Sequence, residues 1–402
     1  MKRKFNTAGP CNKEEHHMID AASRLQGVEQ LIDWEQYFVI HAARQSGKTT
    51  YLKDLTQRLN DSGKYYALYC SLESIQKITD PEKGIPEIVK LIKELLRFSA
   101  VPQKEKFAEN ADYTYFTGVL RTELSLFCMI LDKPLVILFD EADCLSEDTL
   151  ITFLRQLRSG YNDRSTIPFV HSIALVGMRN IRDYKAKIRP NSETLGDASP
   201  FNIVTETYTL KNFTREEIAS LYLQHTEDTG QIFEEEAIDL VHEQTQGQPW
   251  LVNAIAREII VKMLQLDFTQ PINAAMIEEA IQTIIFRRDT HIDSLLERLK
   301  EERVRIVVEP ILLGESVDIT SDDFLYACDL GLIRMTPKRI EPSNPIYAEI
   351  MVRKLTANLQ EELTRNDDKY VIPRYMKTNG LDMDFLFEDF QQLLQGLRFL
   401  LQ

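Results

Sequence analysis

The sequence predicts an α/β unit in which a parallel sheet is covered by helices on both faces, followed by an all-helical unit and then by helices with a two-strand ribbon. Short apolar runs alternate with helix-period segments between Tyr37 and Leu210, the pattern of strands joined by crossover helices. Leu135-Val136-Ile137-Leu138-Phe139 is apolar at every position, as expected of a strand buried on both faces. Beyond Leu210 the strand pattern stops and helix starts take over, the clearest being Thr214-Arg215-Glu216-Glu217.

Each element follows from local pattern. Tyr37–His41 reads as a strand, followed by a glycine-containing turn and a helix-period segment opening at Lys48. Lys64–Ser71, after the Gly63 turn, is the second strand. Ile88, Val89, Leu91, Ile92, Leu95 and Leu96 mark a helix, and apolar spacing places another over about Tyr115–Leu131. Pro134 punctuates the start of the buried strand Leu135–Phe139. Ser172–Val176 and Thr205–Leu210 follow as strands, separated by a stretch containing Pro190, Gly196 and Pro200. The first unit is therefore expected to span 1–210.

At Thr214 a hydroxyl and the Glu217 carboxylate can each take a free amide of the first helical turn. Ile218, Leu221 and Tyr222 continue that helix; Ala237 and Val241 mark a second, Pro249 opens a third through Met263, and a fourth covers about Ala275–Phe286. These give an all-helical unit over 211–290. Two more helices follow Ile292, and Ser321-Asp322-Asp323 caps a short one. Leu332–Thr336 and Arg339–Glu341 are strands joined through Pro337-Lys338, and Pro345 opens a final helix. Helices followed by a two-strand ribbon read as a winged-helix-like unit over 291–360. A polar linker and an amphipathic helix over Asp382–Gln402 occupy 361–402.

Composition excludes some functions. Among 402 residues, 47 Lys plus Arg stand against 62 Asp plus Glu, a net charge of -15 that opposes broad binding to nucleic acid or anionic lipid. The five cysteines (Cys11, Cys70, Cys128, Cys144, Cys328) show neither metal-knuckle nor redox spacing, and are expected to be reduced thiols of a cytoplasmic protein. Met-Lys-Arg-Lys at the start is followed by polar residues rather than an apolar stretch, so it does not read as a secretory signal. No segment supplies the roughly twenty apolar residues of a membrane span.

The chemistry concentrates in two places. A phosphate needs many converging donors, and a loop between a buried strand and a helix N-terminus offers backbone amides together with the helix dipole. Ala42-Ala43-Arg44-Gln45-Ser46-Gly47-Lys48-Thr49-Thr50 has that context and the spacing of a Walker A loop. Ala43, Arg44, Gln45, Ser46, Gly47, Lys48, Thr49 and Thr50 would line the phosphates. Gly47 lets the backbone approach them, Lys48 reaches the outer ones, and Thr49 offers its hydroxyl to magnesium. Ala42 replaces the first glycine of the pattern, which is expected to constrain the turn, because alanine tolerates positive φ poorly. The second place is Asp140-Glu141, at the tip of the buried strand, where open α/β sheets bind ligands. Asp140 would hold magnesium, and Glu141 would orient and polarise an attacking water.

With these residues in order, the chain resembles the additional-strand, catalytic-glutamate class of P-loop NTPases. Within it the layout is similar to AAA-like ATPases related to STAND-type signalling ATPases, and to a bacterial family of ATP-binding proteins with an AAA-like domain. The resemblance covers about Phe5 to Thr356 and includes Phe5-Asn6-Thr7-Ala8-Gly9-Pro10-Cys11, which in the family lies ahead of the loop strand and helps to cover the adenine; a disordered tail is the alternative. It implies ATP and magnesium as cofactors, hydrolysis with Lys48 and Glu141 catalytic, and a γ-phosphate sensor at Arg179, after Val176-Gly177-Met178. A surface arginine after a strand is the other reading of Arg179. Gly247-Gln248-Pro249 resembles the Gly-x-Pro element through which a helical lid meets the nucleotide; a helix stop followed by a helix start explains the same residues. Arg155, Arg158 and Arg164 follow the Asp140 strand, and none is assigned as an arginine finger.

Downstream, a winged helix most often binds DNA, but Glu301, Glu302, Glu309, Asp318, Asp322, Asp323 and Asp329 make this one acidic. Basic residues cluster near the ribbon, at Arg334, Lys338 and Arg339, but the acidity favours a moving lid over DNA binding. Arg182, Tyr184, Lys185, Lys187 and Arg189 form a basic loop that is more simply a solvated one. Met383, Leu386, Phe387, Phe390, Leu394, Leu397 and Leu401 fall on one helical face that must be buried, on the preceding domain, on another subunit or on a missing segment, so a protein partner or self-association through this helix is an expectation. After Tyr370 no Asp and Glu-x-Lys constellation predicts nuclease chemistry. The sequence thus points to a nucleotide-driven ATPase switch. Its alternatives are a nucleotide-gated binding module without turnover and a DNA-binding ATPase.

Overall fold

The computed structural model describes residues 3–20, 24–177, 204–287, 290–337, 339–366, 376–377 and 380–381. Five strands, β1 (Tyr37–His41), β2 (Tyr66–Ser71), β3 (Leu135–Asp140), β4 (Ser172–Gly177) and β5 (Val204–Thr209), form one sheet in the order β2-β3-β4-β1-β5. Every pairing is parallel, so the C-terminal tips of all five strands emerge at one edge. The strand β4 lies between β1 and β3.

The alternation of side chains explains the uninterrupted apolar run of β3. Val136 and Leu138 face α1 (Val28–Asp33) and α2 (Lys48–Asp61), packing with Phe38, Ile40, Leu52 and Leu55. Leu135, Ile137 and Phe139 face α3 (Pro81–Arg97), α4 (Val119–Ile130) and α5 (Glu147–Asp163), packing with Ile88, Leu124 and Phe153. Both faces are dry, as a parallel sheet requires.

Helix boundaries differ from the periodicity where polar side chains rewrite them. The third helix opens at Pro81, well before Ile88, because the Asp80 carboxylate accepts the Glu82 amide at 2.9 Å and Pro81 occupies the first helical position. The fourth starts at Val119 rather than Tyr115. Asp112 Oδ1 accepts from the Thr114 amide (3.0 Å) and hydroxyl (2.6 Å) and holds that stretch in a turn.

By internal contacts the chain divides into two compact units, Met1–Thr229 with Gln248–Asn253, and Gly230–Gly247 with Ala254–Gln402. The first includes α6 (Arg215–Thr229), which opens with the reciprocal cap expected from its sequence. The Thr214 amide donates to Glu217 Oε2 at 2.8 Å, and the Glu217 amide to Thr214 Oγ1 at 3.2 Å. The N-terminal segment packs here as an ordered element. Phe5 is buried and meets the Tyr222 ring edge-on at 5.5 Å, and Arg3 Nε donates to Asp228 Oδ2 at 3.0 Å.

Beside them His17 is 1% exposed, and neither ring nitrogen has a hydrogen-bond partner among the described residues. Burial first, then His225 and Arg3, push its pKa down to about 4; Asp228, 3.9 Å away, pulls the other way. The unfolded chain therefore binds this proton more tightly than the folded one. The stability that neutral His17 supports is complete above about pH 6.5 and falls, by up to about 3 kcal/mol, as the pH drops towards 4. Urea midpoints taken between about pH 7 and pH 5 should decline in the wild type and decline less in His17→Leu.

The second unit holds α7 (Glu235–Thr245), the π-helical turn Glu258–Met263 that continues α8 (Pro249–Arg257), α9 (Ala274–Arg287), α10 (Thr290–Arg298), α11 (Glu302–Leu312) and α12 (Asp322–Asp329). An antiparallel ribbon, β6 (Ile333–Met335) with β7 (Ile340–Pro342), precedes α13 (Pro345–Asn366), and β8 (Met376–Lys377) pairs with β9 (Gly380–Leu381). Ser321 caps α12, its hydroxyl accepting the Phe324 amide at 3.2 Å. Among the described residues no helix is long and apolar enough to cross a membrane, and all five cysteines are free thiols.

Candidate nucleotide-binding site

At the C-terminal edge of the sheet, β1 runs into the loop 42–47 and then directly into α2. Ala42 is buried, and its amide donates to the Gly177 carbonyl at the tip of β4 (3.3 Å). The constraint expected from alanine at this position does not arise, since Ala42 does not have a positive φ. The left-handed residues are Gln45 (φ 57°) and Gly47 (φ 93°). Gly47 is the N-cap of α2, which puts the free amides of the first turn beside the loop.

Within the loop the Ser46 hydroxyl donates to the Ala43 carbonyl at 2.8 Å. Lys48 Nζ donates to the carbonyls of Ala42 (2.6 Å) and Ala43 (2.8 Å). Burial pushes the Lys48 pKa down to about 8, although Asp140, Asp143 and Glu141 favour its charge. Arg44 and Gln45 are exposed. Thr50 Oγ1 accepts the Cys11 amide at 3.0 Å, which ties the N-terminal segment to the first turn of α2.

The two predicted elements meet through Thr49 and Asp140. The Thr49 hydroxyl donates to Asp140 Oδ2 at 2.7 Å, the Tyr69 hydroxyl donates to the same oxygen at 3.0 Å, and the Glu141 amide donates to Oδ1 at 3.0 Å. Asp140 is 1% exposed, and these donors offset the cost of burying its charge. Glu141 is left-handed (φ 55°), and its Oε2 is buried without a hydrogen-bond partner among the described residues. Burial, then the charges of Glu73, Asp140 and Asp143, push the Glu141 pKa up to about 7 against the pull of Lys48. A hydroxyl and a carboxylate in contact, with an unpartnered carboxylate oxygen beside them, are hard oxygen donors of the kind magnesium takes. Among the described residues no group of three or more His, Cys, Asp or Glu forms a self-sufficient metal site.

The AAA-like domain family matches residues 24–353 of the 402. The chain belongs to that family. The AAA-like chain is similar in fold to the Walker-type ATPase of Pyrococcus abyssi, with 15% identity and a TM-score of 0.58, covering 87% of this chain and 99% of that one. Two further solved structures align over comparable lengths. The ORC2 protein of Aeropyrum pernix, in ADPNP–ADP complexes, gives 14% identity and a TM-score of 0.44 over 85% of this chain and 93% of its own. The RuvB Holliday junction branch migration motor of Thermotoga maritima gives 13% identity and 0.42 over 81% and 91%. No curated protein matches the sequence.

The remaining sequence expectations fall in different places in the AAA-like chain. Arg179, the basic loop from Arg182 to Arg189, Lys338 and the helix from Asp382 lie outside the described residues. Arg155 is exposed on α5. Arg164 donates to the Glu35 carbonyl at 2.6 Å and lies 4.0 Å from the Tyr161 ring centroid, close to the start of β1 and so at the opposite edge of the sheet from the loop. Gln246 and Gly247 are both left-handed (φ 48° and 70°) and end α7, and Gln248 Oε1 accepts the Leu251 amide (2.6 Å) at the start of α8. This is the cap geometry of a helix stop followed by a helix start.

Several residues at the site went unread in the sequence. Tyr69 reaches Asp140 from β2. Arg24 lies beside Gly47, its Nη1 3.7 Å from where a Cβ would stand, and 4.8 Å above the Phe213 ring; burial pushes its pKa down to about 10. Trp250 Nε1 donates to the Thr7 carbonyl at 3.0 Å, which fixes the N-terminal segment. None has a local sequence signature, since each depends on a partner far away in the chain.

Gly177, the last residue of β4, packs against Asp143 with no room for a side chain. A Cβ there would stand 2.5 Å from Asp143 Oδ1, 2.7 Å from Cγ and 3.1 Å from Cβ, so the whole side chain of Asp143 would have to move. Gly177→Ala should therefore destabilise the fold by about 1–3 kcal/mol, read as a lowered midpoint in urea. An unchanged midpoint would show that Asp143 yields freely.

Proposed function

We propose that the chain is a magnesium-dependent ATPase whose nucleotide state drives a conformational switch. The observation that carries this reading is the 2.7 Å contact between Thr49 and Asp140, which joins the phosphate loop to the strand-tip carboxylates. Membership of the AAA-like domain family supports it. In this reading Lys48 and the loop amides bind the ATP phosphates, with Ala43, Arg44, Gln45, Ser46, Gly47 and Thr50 forming the cradle. Thr49 and Asp140 hold magnesium. The bound ion supplies charge neutralisation on the phosphate oxygens.

Glu141 orients a water for attack and takes up its proton. Its buried, unpartnered Oε2 and its raised pKa suit a base that must hold a proton near neutrality. Arg179 takes the γ-phosphate sensor role that the family resemblance gives it. The helical segment is read as a lid, and α10 to α13 with the β6–β7 ribbon as a winged-helix-like module. ATP binding and hydrolysis would reset these between two arrangements.

DNA binding through the ribbon is disfavoured. Arg334 donates to Glu341 at 2.7 and 3.0 Å and to Gln246 at 2.7 Å, and Arg339 donates to Glu341 at 2.7 Å, so both guanidiniums are engaged by one carboxylate, which offsets one of their two charges. Phosphate release from ATP by the full chain, with and without magnesium, tests the reading. Magnesium-dependent release supports it. Tight ATP binding with no release favours a nucleotide-gated binding module instead.

A further inference from the structure

Among the described residues Asp140 Oδ2 has two protein donors, and only one of them belongs to the phosphate-loop motif. The Thr49 hydroxyl lies at 2.7 Å and the Tyr69 hydroxyl at 3.0 Å, while Oδ1 is occupied by the Glu141 amide. Tyr69 reaches this oxygen through strand register. In the β2–β3 pairing Ser71 is opposite Asp140 and Tyr69 opposite Leu138, so Tyr69 stands two positions back from the strand tip. Its ring packs on the core shared with α2, and Lys53 Nζ lies 5.5 Å from the ring centroid. The phenol is thus fixed from behind, and its hydroxyl points at the carboxylate.

We infer that Tyr69 is a positioning residue for the divalent cation. It holds the Asp140 carboxylate in place by a second donor to Oδ2, so that Asp140 and the Thr49 oxygen, whose lone pairs stay available while its O–H donates to Asp140, are presented to the ion together. Without that donor the buried Oδ2 would depend on the Thr49 hydroxyl alone, and the carboxylate would be less firmly held beside the Thr49 oxygen. The inference rests on the nucleotide reading and adds to it a residue from a strand that carries none of the motif positions.

The test uses the full chain and the fluorescent probe N-methylanthraniloyl-ATP, titrated with magnesium, in the wild type and in Tyr69→Phe. The phenylalanine keeps the ring, its packing and the Lys53 contact, and removes only the hydroxyl. The expected result is a magnesium midpoint about tenfold higher in Tyr69→Phe, with magnesium-free probe affinity and the urea midpoint unchanged. Equal magnesium midpoints in the two proteins overturn the inference alone. So does a parallel loss of magnesium-free affinity, which would mean that Tyr69 only packs. Absence of magnesium-dependent probe binding in the wild type overturns the nucleotide reading and the inference with it.

Discussion

Replacing Lys48 by alanine should weaken ATP binding by about a hundredfold or more, the loss expected when charge-assisted bonds to phosphate disappear from a partly buried site. Lys48 Nζ is held by the Ala42 and Ala43 carbonyls at 2.6 and 2.8 Å, within the loop and next to the first turn of α2. Burial depresses its pKa to about 8, so the ammonium carries a desolvation cost in the folded chain that an incoming polyphosphate would offset. That cost separates a binding role from a structural one. If Lys48 serves the phosphates, Lys48→Ala loses affinity while its urea midpoint holds or rises, because an incompletely compensated charge has been removed. Calorimetric titration with ATP beside urea unfolding measures both. A falling midpoint with intact affinity would make Lys48 a brace for the loop carbonyls and nothing more.

Glu141→Gln should leave ATP binding intact and lower turnover by about a hundredfold to ten-thousandfold, the range spanned by loss of a general base. Glu141 sits among Glu73, Asp140 and Asp143, and their charges together with burial raise its pKa to about 7. Glutamine has the same shape and removes one negative charge from that group, so affinity for an anionic nucleotide should be kept or improved. Retained binding with lost turnover is the expected signature. Equal turnover in the two proteins would move the base elsewhere or show that water attacks unaided.

The two halves of the candidate site differ in how far the sequence exposes them. Gly47, Lys48 and Thr49 are legible because the chemistry of a phosphate loop is local: a strand, a turn and a helix start, in fixed spacing. Asp140 and Glu141 are legible because an apolar run ends in paired carboxylates. Their meeting is not legible, since it depends on β4 inserting between β1 and β3, and nothing in either segment encodes that order. Tyr69 was hidden for the same reason: it looks like one aromatic among several on a strand until register sets it against Asp140. The late start of α4 has a different cause, because apolar spacing says where a helix buries its face, whereas the Asp112 turn decides where it begins. The concern over Ala42 came from a pattern in which glycine is usual, and the backbone shows that positive φ falls at Gln45 and Gly47 instead.

The most direct measurement is calorimetric titration of the full wild-type chain with ATP, in the presence and in the absence of magnesium. Saturable one-to-one binding that weakens when magnesium is removed is the result expected of a site built from the 42–50 loop, Thr49 and Asp140. No saturable binding at any magnesium concentration would contradict that site, and the Thr49–Asp140 contact would then be only a hydrogen bond that closes the top of the sheet.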